Sequence, residues 1–185
     1  MSAVVGATFE AAISTDQRRR LRHGQAMCVI VQVPTPAWVG PVLAYFRGVF
    51  GDRWVQQARD ASDPIGHGAA TGSSAVSSAL SAGQSVVGIS ADVRLLPRTL
   101  VGAADLTIRL RHPDGSVVKT AITRFAKRAP AEIEDFIAGE LDLDDILAAF
   151  RPGSGPQRIA QRLAAAAAAL RAYRDLEKEK QICSS

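Results

Sequence analysis

Apolar residues fall into short β-branched runs that alternate with segments whose apolar positions recur every three or four residues. Cys28-Val29-Ile30-Val31-Gln32-Val33, bounded by Pro34, predicts a strand buried on both faces of a parallel sheet. Thr35 can cap and Pro36 can begin a helix bearing Trp38, Val39, Val42, Leu43, Phe46 and Phe50, with Gly51 to end it. Pro41 does not suit a helix interior and moves the expected start later. Trp54 to Ala58 predicts a second strand, and residues 59–71 a loop without periodicity. Ser73 is the expected cap of a helix with Ala75, Val76, Ala79 and Leu80 inward and Gly83 at its end. Ser85 to Ser90 predicts a third strand, Pro97 opens a short helix through Leu100, Val101 and Ala104, and Leu106 to Leu110 alternates as a fourth strand. Strands alternating with helices define an α/β fold: a small doubly wound, mostly parallel sheet with helices on both faces.

Beyond the turn His112-Pro113-Asp114-Gly115, Val117, Val118, Ala121, Ile122 and Phe125 form a helical stripe, although Val117 to Thr120 alone also fits a hairpin strand. An acidic stretch follows, with Glu132, Glu134, Asp135, Glu140, Asp142, Asp144 and Asp145. Leu143, Ile146, Leu147 and Phe150 then keep a helical face that Pro152-Gly153 stops. Ser154-Gly155-Pro156 restarts a helix of roughly 25 residues, about 37 Å long. Its seam, Ile159, Leu163, Ala166, Leu170 and Tyr173, steps four, three, four, three, a short heptad pattern that calls for a neighbour on the sheet or in a second copy. Residues 1–26 read as a basic N-terminal arm or short first helix, 27–128 as the α/β domain and 129–185 as a C-terminal helical extension.

Composition narrows the functional classes. With 185 residues, 47% of them hydrophobic, the chain can bury a core and is not a disordered protein. Lys and Arg outnumber Asp and Glu by 22 to 18, and aromatics make up only 5%, so a stacking surface for single-stranded nucleic acid is not expected. Two cysteines, Cys28 and Cys183, make neither a disulfide framework nor a metal quartet and fit a reducing cytoplasm. The longest apolar stretch, Leu163 to Leu170, is far short of a bilayer span, so no membrane partner is expected. The N-terminal arginines follow the apolar stretch, the reverse of a secretory leader.

Candidate chemistry is sparse. The first strand-to-helix turn of a doubly wound sheet commonly holds phosphate on backbone N–H groups, but here it reads Val33-Pro34-Thr35-Pro36, with two donors removed and no glycine. A second anion-binding candidate is Gly66, His67, Gly68, Gly72, Ser73 and Ser74, glycines spaced before a helix; the plain alternative is a Gly/Ser loop leading into that helix. His23, His67 and His112 stand apart, without metal-ligand spacing, and the serines lack a nucleophile elbow. No catalytic residue, metal or cofactor is therefore assigned. Asp142, Asp144 and Asp145 suit the first turn of a helix, where they complement its dipole. Arg18, Arg19, Arg20 and Arg22 form the densest basic run, a solvated arm or a contact for DNA or an acidic surface.

Three stretches resemble the N-terminal region of certain bacterial AAA+ ATPases over roughly residues 27–170: Ala79 through Ser90, Leu95-Leu96-Pro97 through Asp105, and Leu141-Asp142-Leu143-Asp144-Asp145-Ile146 with Phe150-Arg151-Pro152-Gly153-Ser154. The resemblance implies an accessory domain that recruits a substrate or helps a ring assemble, with a protein partner such as the ATPase module or its substrate. The chain carries no Walker A lysine, Walker B acid or arginine finger, so ATP hydrolysis is not expected of it. The alternatives are a small-molecule or nucleotide-binding enzyme using Gly66 to Ser74, with His67 as acid or base, and a DNA-associated factor acting through the basic arm.

Overall fold

A computed structural model describes residues 2–59, 72–131, 133 and 139–182. The chain divides into two compact units, Val4–Arg111 and His112–Ser185. The division comes before the helix that the sequence assigns to the α/β domain.

The first unit holds a four-stranded, all-parallel sheet of β1 (Cys28–Gln32), β2 (Trp54–Arg59), β3 (Ser85–Ser90) and β4 (Leu106–Arg109) in the order β2-β3-β1-β4. β1 is central, pairing Ile30 with Gly88 on one side and with Thr107 on the other. This explains its unbroken apolar run, since a strand with neighbours on both edges and helices above and below has no side to wet. The connection from β1 to β2 passes through α3 (Val39–Phe50) and runs across the sheet in one direction. Those through α4 (Ser73–Ser81) and α5 (Arg98–Gly102) run in the other. Right-handed crossovers place α3 on one face and α4 and α5 on the opposite one.

Alternation along the strands supplies each face with its core. Cys28, Ile30 and Val86 pack with Val76, Ala79, Leu96 and Leu100. Gly88 permits the close approach of α5 there, because a Cβ would stand 2.8 Å from Leu100 Cδ2 and 3.0 Å from Leu96 Cδ1. The thiol of Cys28 donates to the Leu100 carbonyl (3.3 Å) and its amide to Asp105 Oδ2 (2.8 Å). Burial, and then the Asp105 charge, push this thiol up to about 11, so it is an inert core group. An aromatic cluster joins α3 to the N-terminal segment: Phe46 lies 4.7 Å from Phe50, 5.2 Å from Trp54 and 6.2 Å from Phe9 between ring centroids.

Residues 2–23 are not a free arm. They form α1 (Ser2–Ala11) and α2 (Thr15–His23), with Val4, Val5, Ala7, Phe9 and Leu21 buried. Ser14 caps α2 in a reciprocal box with Gln17, whose amide donates to Ser14 Oγ (3.2 Å) while Gln17 Oε1 accepts the Ser14 amide (2.8 Å). Arg53 Nη2 donates to the carbonyls of Leu21 (2.8 Å) and Arg22, holding the other end. The small and basic composition of this stretch conceals the spacing of Val4, Val5 and Phe9.

Two further helix starts depart from expectation. Gly72, not Ser73, is the N-cap of α4, its carbonyl accepting the Val76 amide (2.9 Å), and glycine is required there because a Cβ would meet Pro97 Cγ at 2.5 Å. Thr35 makes no side-chain cap. A 3-10 turn over Pro36–Trp38 leads into α3, so Pro41 falls in the first helical turn, where a missing N–H costs nothing.

The second unit contains α6 (Gly115–Ala126), α7 (Leu143–Ala149) and α8 (Pro156–Ile182). Asp114 caps α6 by accepting the Val117 amide (2.8 Å), which settles this segment as helix and not hairpin strand. Asp142 and Asp145 form a capping box at α7. Leu143, Ile146 and Ala149 of α7 are buried, as are Ile159, Leu163 and Ala167 of α8, while Phe125 meets Phe150 edge to face at 5.4 Å. Glu132, Glu134 and Asp135 of the acidic stretch lie outside the described residues, as does Cys183. Among the described residues, no helix is long and apolar enough to cross a membrane.

Gly88→Val should lower stability by about 1–3 kcal/mol through overpacking against Leu96 and Leu100. Urea unfolding reads this as a reduced midpoint at unchanged slope. An unchanged midpoint would mean that α5 does not depend on the missing side chain.

Candidate functional site

In an open parallel sheet, ligands settle at the carboxyl ends of neighbouring strands whose connections leave toward opposite faces. Here those strands are β1 and β3. The amide of Val33 donates to the Ser90 carbonyl (3.0 Å), closing the gap between them. Pro34, Pro36 and Pro41 carry no N–H, and the amides of Trp38 and Val39 donate to the carbonyls of Thr35 (3.1 Å) and Pro36. Trp38 is fully buried beneath the turn.

The β3 side is equally self-contained. Ser90 is fully buried, its hydroxyl donating to the Asp92 carbonyl (2.8 Å) and accepting the Asp92 amide (3.2 Å). The Asp92 carboxylate accepts the backbone amide of Arg94 (2.9 Å) and grips its guanidinium through Nε (2.9 Å) and Nη2 (2.6 Å). These bonds hold the Asp92 carboxyl below its ordinary range and raise Arg94. The turns after β1 and β3 thus spend the amides of Val33, Trp38 and Val39 and the side chains of Ser90 and Asp92 on bonds within the protein, a geometry poorly suited to cradling a phosphate.

Of the second anion-binding candidate, Gly66, His67 and Gly68 lie outside the described residues. Gly72, Ser73 and Ser74 are brought together at the start of α4, with Gly72 buried, Ser73 half-buried and Ser74 exposed. In the basic run, Arg18 faces Glu10 (3.6 Å) and Arg19 faces Asp16 (3.7 Å), while Arg20 and Arg22 are exposed on α2. His23 ends α2, and His112 precedes α6.

The interaction helix proves two-faced. Ile159 and Leu163 lie in the core of their unit with Ala167, a step of four throughout, as a straight helix packing on one side requires. Ala166 and Leu170 are half-buried, and Tyr173 lies off this face at 59% exposure. The opposite face is also apolar: Ala165, Ala169 and Ala172 are exposed and lead to Tyr173 and Leu176, the latter 57% exposed. Leu176 follows Tyr173 by three residues, a signal that the heptad reading passes over.

Glu140 anchors the middle of α8. Its Oε1 accepts from Arg171 Nη2 (2.7 Å) and Nε (3.0 Å), and its Oε2 from Arg174 Nη2 (2.7 Å). The depression of about 240 Å³ beside it is lined by Glu140, Arg171, Arg174, Asp175 and Lys178, charges that largely neutralise one another. No family model, characterised protein or solved structure matches this chain. The likeness to AAA+ N-terminal regions therefore rests on the quoted motifs alone.

The hydrogen bond from Arg171 holds Glu140 below its ordinary value of 4.5. A depressed folded-state pKa stabilises the docked helix above the ordinary value, and that contribution is lost as pH falls through the lower, folded one. Amide protection factors at Ala172 to Lys178, the exchange rates corrected for the intrinsic pH dependence of exchange, should fall across this acidic window, and Glu140→Gln should abolish the step. Protection factors in the unmodified chain that do not change with pH would contradict the clasp.

Proposed function

We propose that this chain is a non-catalytic accessory domain serving assembly or substrate recruitment, as its likeness to the N-terminal regions of bacterial AAA+ ATPases implies. The observation that carries this reading is the outward apolar face of α8. Between Leu163 and Leu170 the helix has no polar side chain, although only its inner positions are needed for its own core. Soluble helices ordinarily place charge on the side facing water. Alanines at 165, 169 and 172 would let a second helix approach closely, and Tyr173 and Leu176 supply larger groups to bury at the end of the stripe.

The occupant proposed is the same stripe of a second copy, giving the chain a role in assembly. The filled and proline-bearing turn after β1 supports a platform more than a nucleotide enzyme, because binding there would first break bonds the protein already makes.

Sedimentation velocity over a concentration series tests this reading. The unmodified chain should self-associate, and Tyr173→Asp with Leu176→Asp should hold it as a monomer with unchanged far-ultraviolet helix signal. Leu163→Asp should instead unfold the helical unit, since it places a charge at a fully buried position. A chain that remains monomeric throughout, or a double variant that associates as before, would overturn the reading.

A further inference from the structure

The region joining α7 to α8 gathers positive charge without any acidic counterpart among the described residues. Arg151 follows α7, and Arg158 and Arg162 lie four apart on α8, one turn above the other. Arg162 Nη1 donates to Ser154 Oγ (2.7 Å) and to the Ala149 carbonyl (3.3 Å), and Arg151 Nε donates to the Ala148 carbonyl (3.2 Å). Two of the three guanidinium groups are therefore positioned by the protein, and neutral oxygens hold them.

Every ion pair among the described residues lies elsewhere, although this chain has 18 acidic residues from which to draw a partner. Arg171 and Arg174 of the same helix receive one in Glu140. Partial burial and then the neighbouring charges of Arg151 and Arg158 make the cationic form of Arg162 less favourable than usual. A folded protein that holds like charges together in this way gains when a multivalent anion joins them.

We infer that Arg151, Arg158 and Arg162, with the Ser154 hydroxyl, form a binding site for a polyphosphate group. Guanidinium forks match phosphate oxygens two at a time, and two held positive charges with a third free to close on the ligand fit a chain of phosphates better than a single carboxylate. The Arg-Pro-Gly-Ser segment takes on a role in this arrangement: Gly153, at φ +74°, turns the chain so that Ser154 faces Arg162. The site is independent of the outer stripe of α8, and its failure would leave the assembly reading untouched.

Titration with inorganic tripolyphosphate at constant ionic strength, followed by backbone amide shifts, tests the site. Saturable shifts should cluster at Arg151 to Arg162. Arg158→Gln, which removes an exposed side chain that makes no bond in the fold, should weaken affinity about tenfold, the scale of one lost charge-assisted hydrogen bond. The variant should unfold at no lower temperature than the parent, because a repulsion is relieved. ATP matching tripolyphosphate would identify free polyphosphate chemistry as sufficient, and tighter binding of ATP would identify a nucleotide as the source. Absence of shifts at Arg151 to Arg162, equal affinity of the variant, or shifts spread equally over Arg18 to Arg22 would overturn the inference.

Discussion

Between Val33 and Pro41 the chain leaves its central strand with most of its backbone donors missing or committed. Three prolines lack N–H groups, Val33 is bonded across to β3, and Trp38 and Val39 are bonded within the 3-10 turn. This constraint governs how the first unit can be used. A doubly wound sheet offers its crevice at these strand ends, and here the Val33–Ser90 bond joins the two strand ends while Asp92 pairs with Arg94 on the β3 side. The same bonds make the sheet a rigid support, because its central strand is tied at its carboxyl end as well as along both edges.

The helical unit presents the contrasting case. One face of α8 is buried at Ile159, Leu163 and Ala167 in a unit where it meets α6 and α7, and Glu140 fixes the next turns through two arginines. Between Leu163 and Leu170 what is left outward is alanine and not the charge expected of a solvated helix, and beyond it Tyr173 and Leu176 are exposed among charged neighbours. The Tyr173 hydroxyl donates to Glu177, and that bond and charge raise its pKa, so its polar tip is satisfied locally while the ring stays at the surface. Chemistry that would hold a partner is therefore concentrated in α8 and its start.

The sheet was legible in the sequence because a central parallel strand must be apolar on both faces, and the runs at Cys28 and Ser85 could satisfy little else. Gly and Pro punctuation located most helices. The N-terminal helices were harder to read: four arginines within five residues suggested solvent, whereas Leu21 among them is fully buried. Ser73 was a reasonable cap by residue type, but the helix starts one residue earlier at Gly72, where Pro97, 25 residues away in the chain, leaves no room for a side chain. The seam of α8 followed a supercoil step, while its actual partners are two shorter helices of the same unit, α6 and α7, on which a straight helix packs with a four-residue step. Pairings such as Glu140 with Arg171 span 31 residues and leave no local trace. The proposed interaction face and anion site were visible only as residues, since exposure of an apolar face and the absence of a counter-charge among the described residues are properties of the fold.

If the carboxyl edge of β1 and β3 is a support that holds no nucleotide phosphate, amide shifts of Val33, Thr35, Ala37 to Gly40 and Ser90 to Arg94, recorded while Mg-ATP is raised to millimolar concentration, read it most directly. These resonances should stay in place whatever happens elsewhere on the protein. Saturable movement centred on Val33 to Gly40 would contradict it.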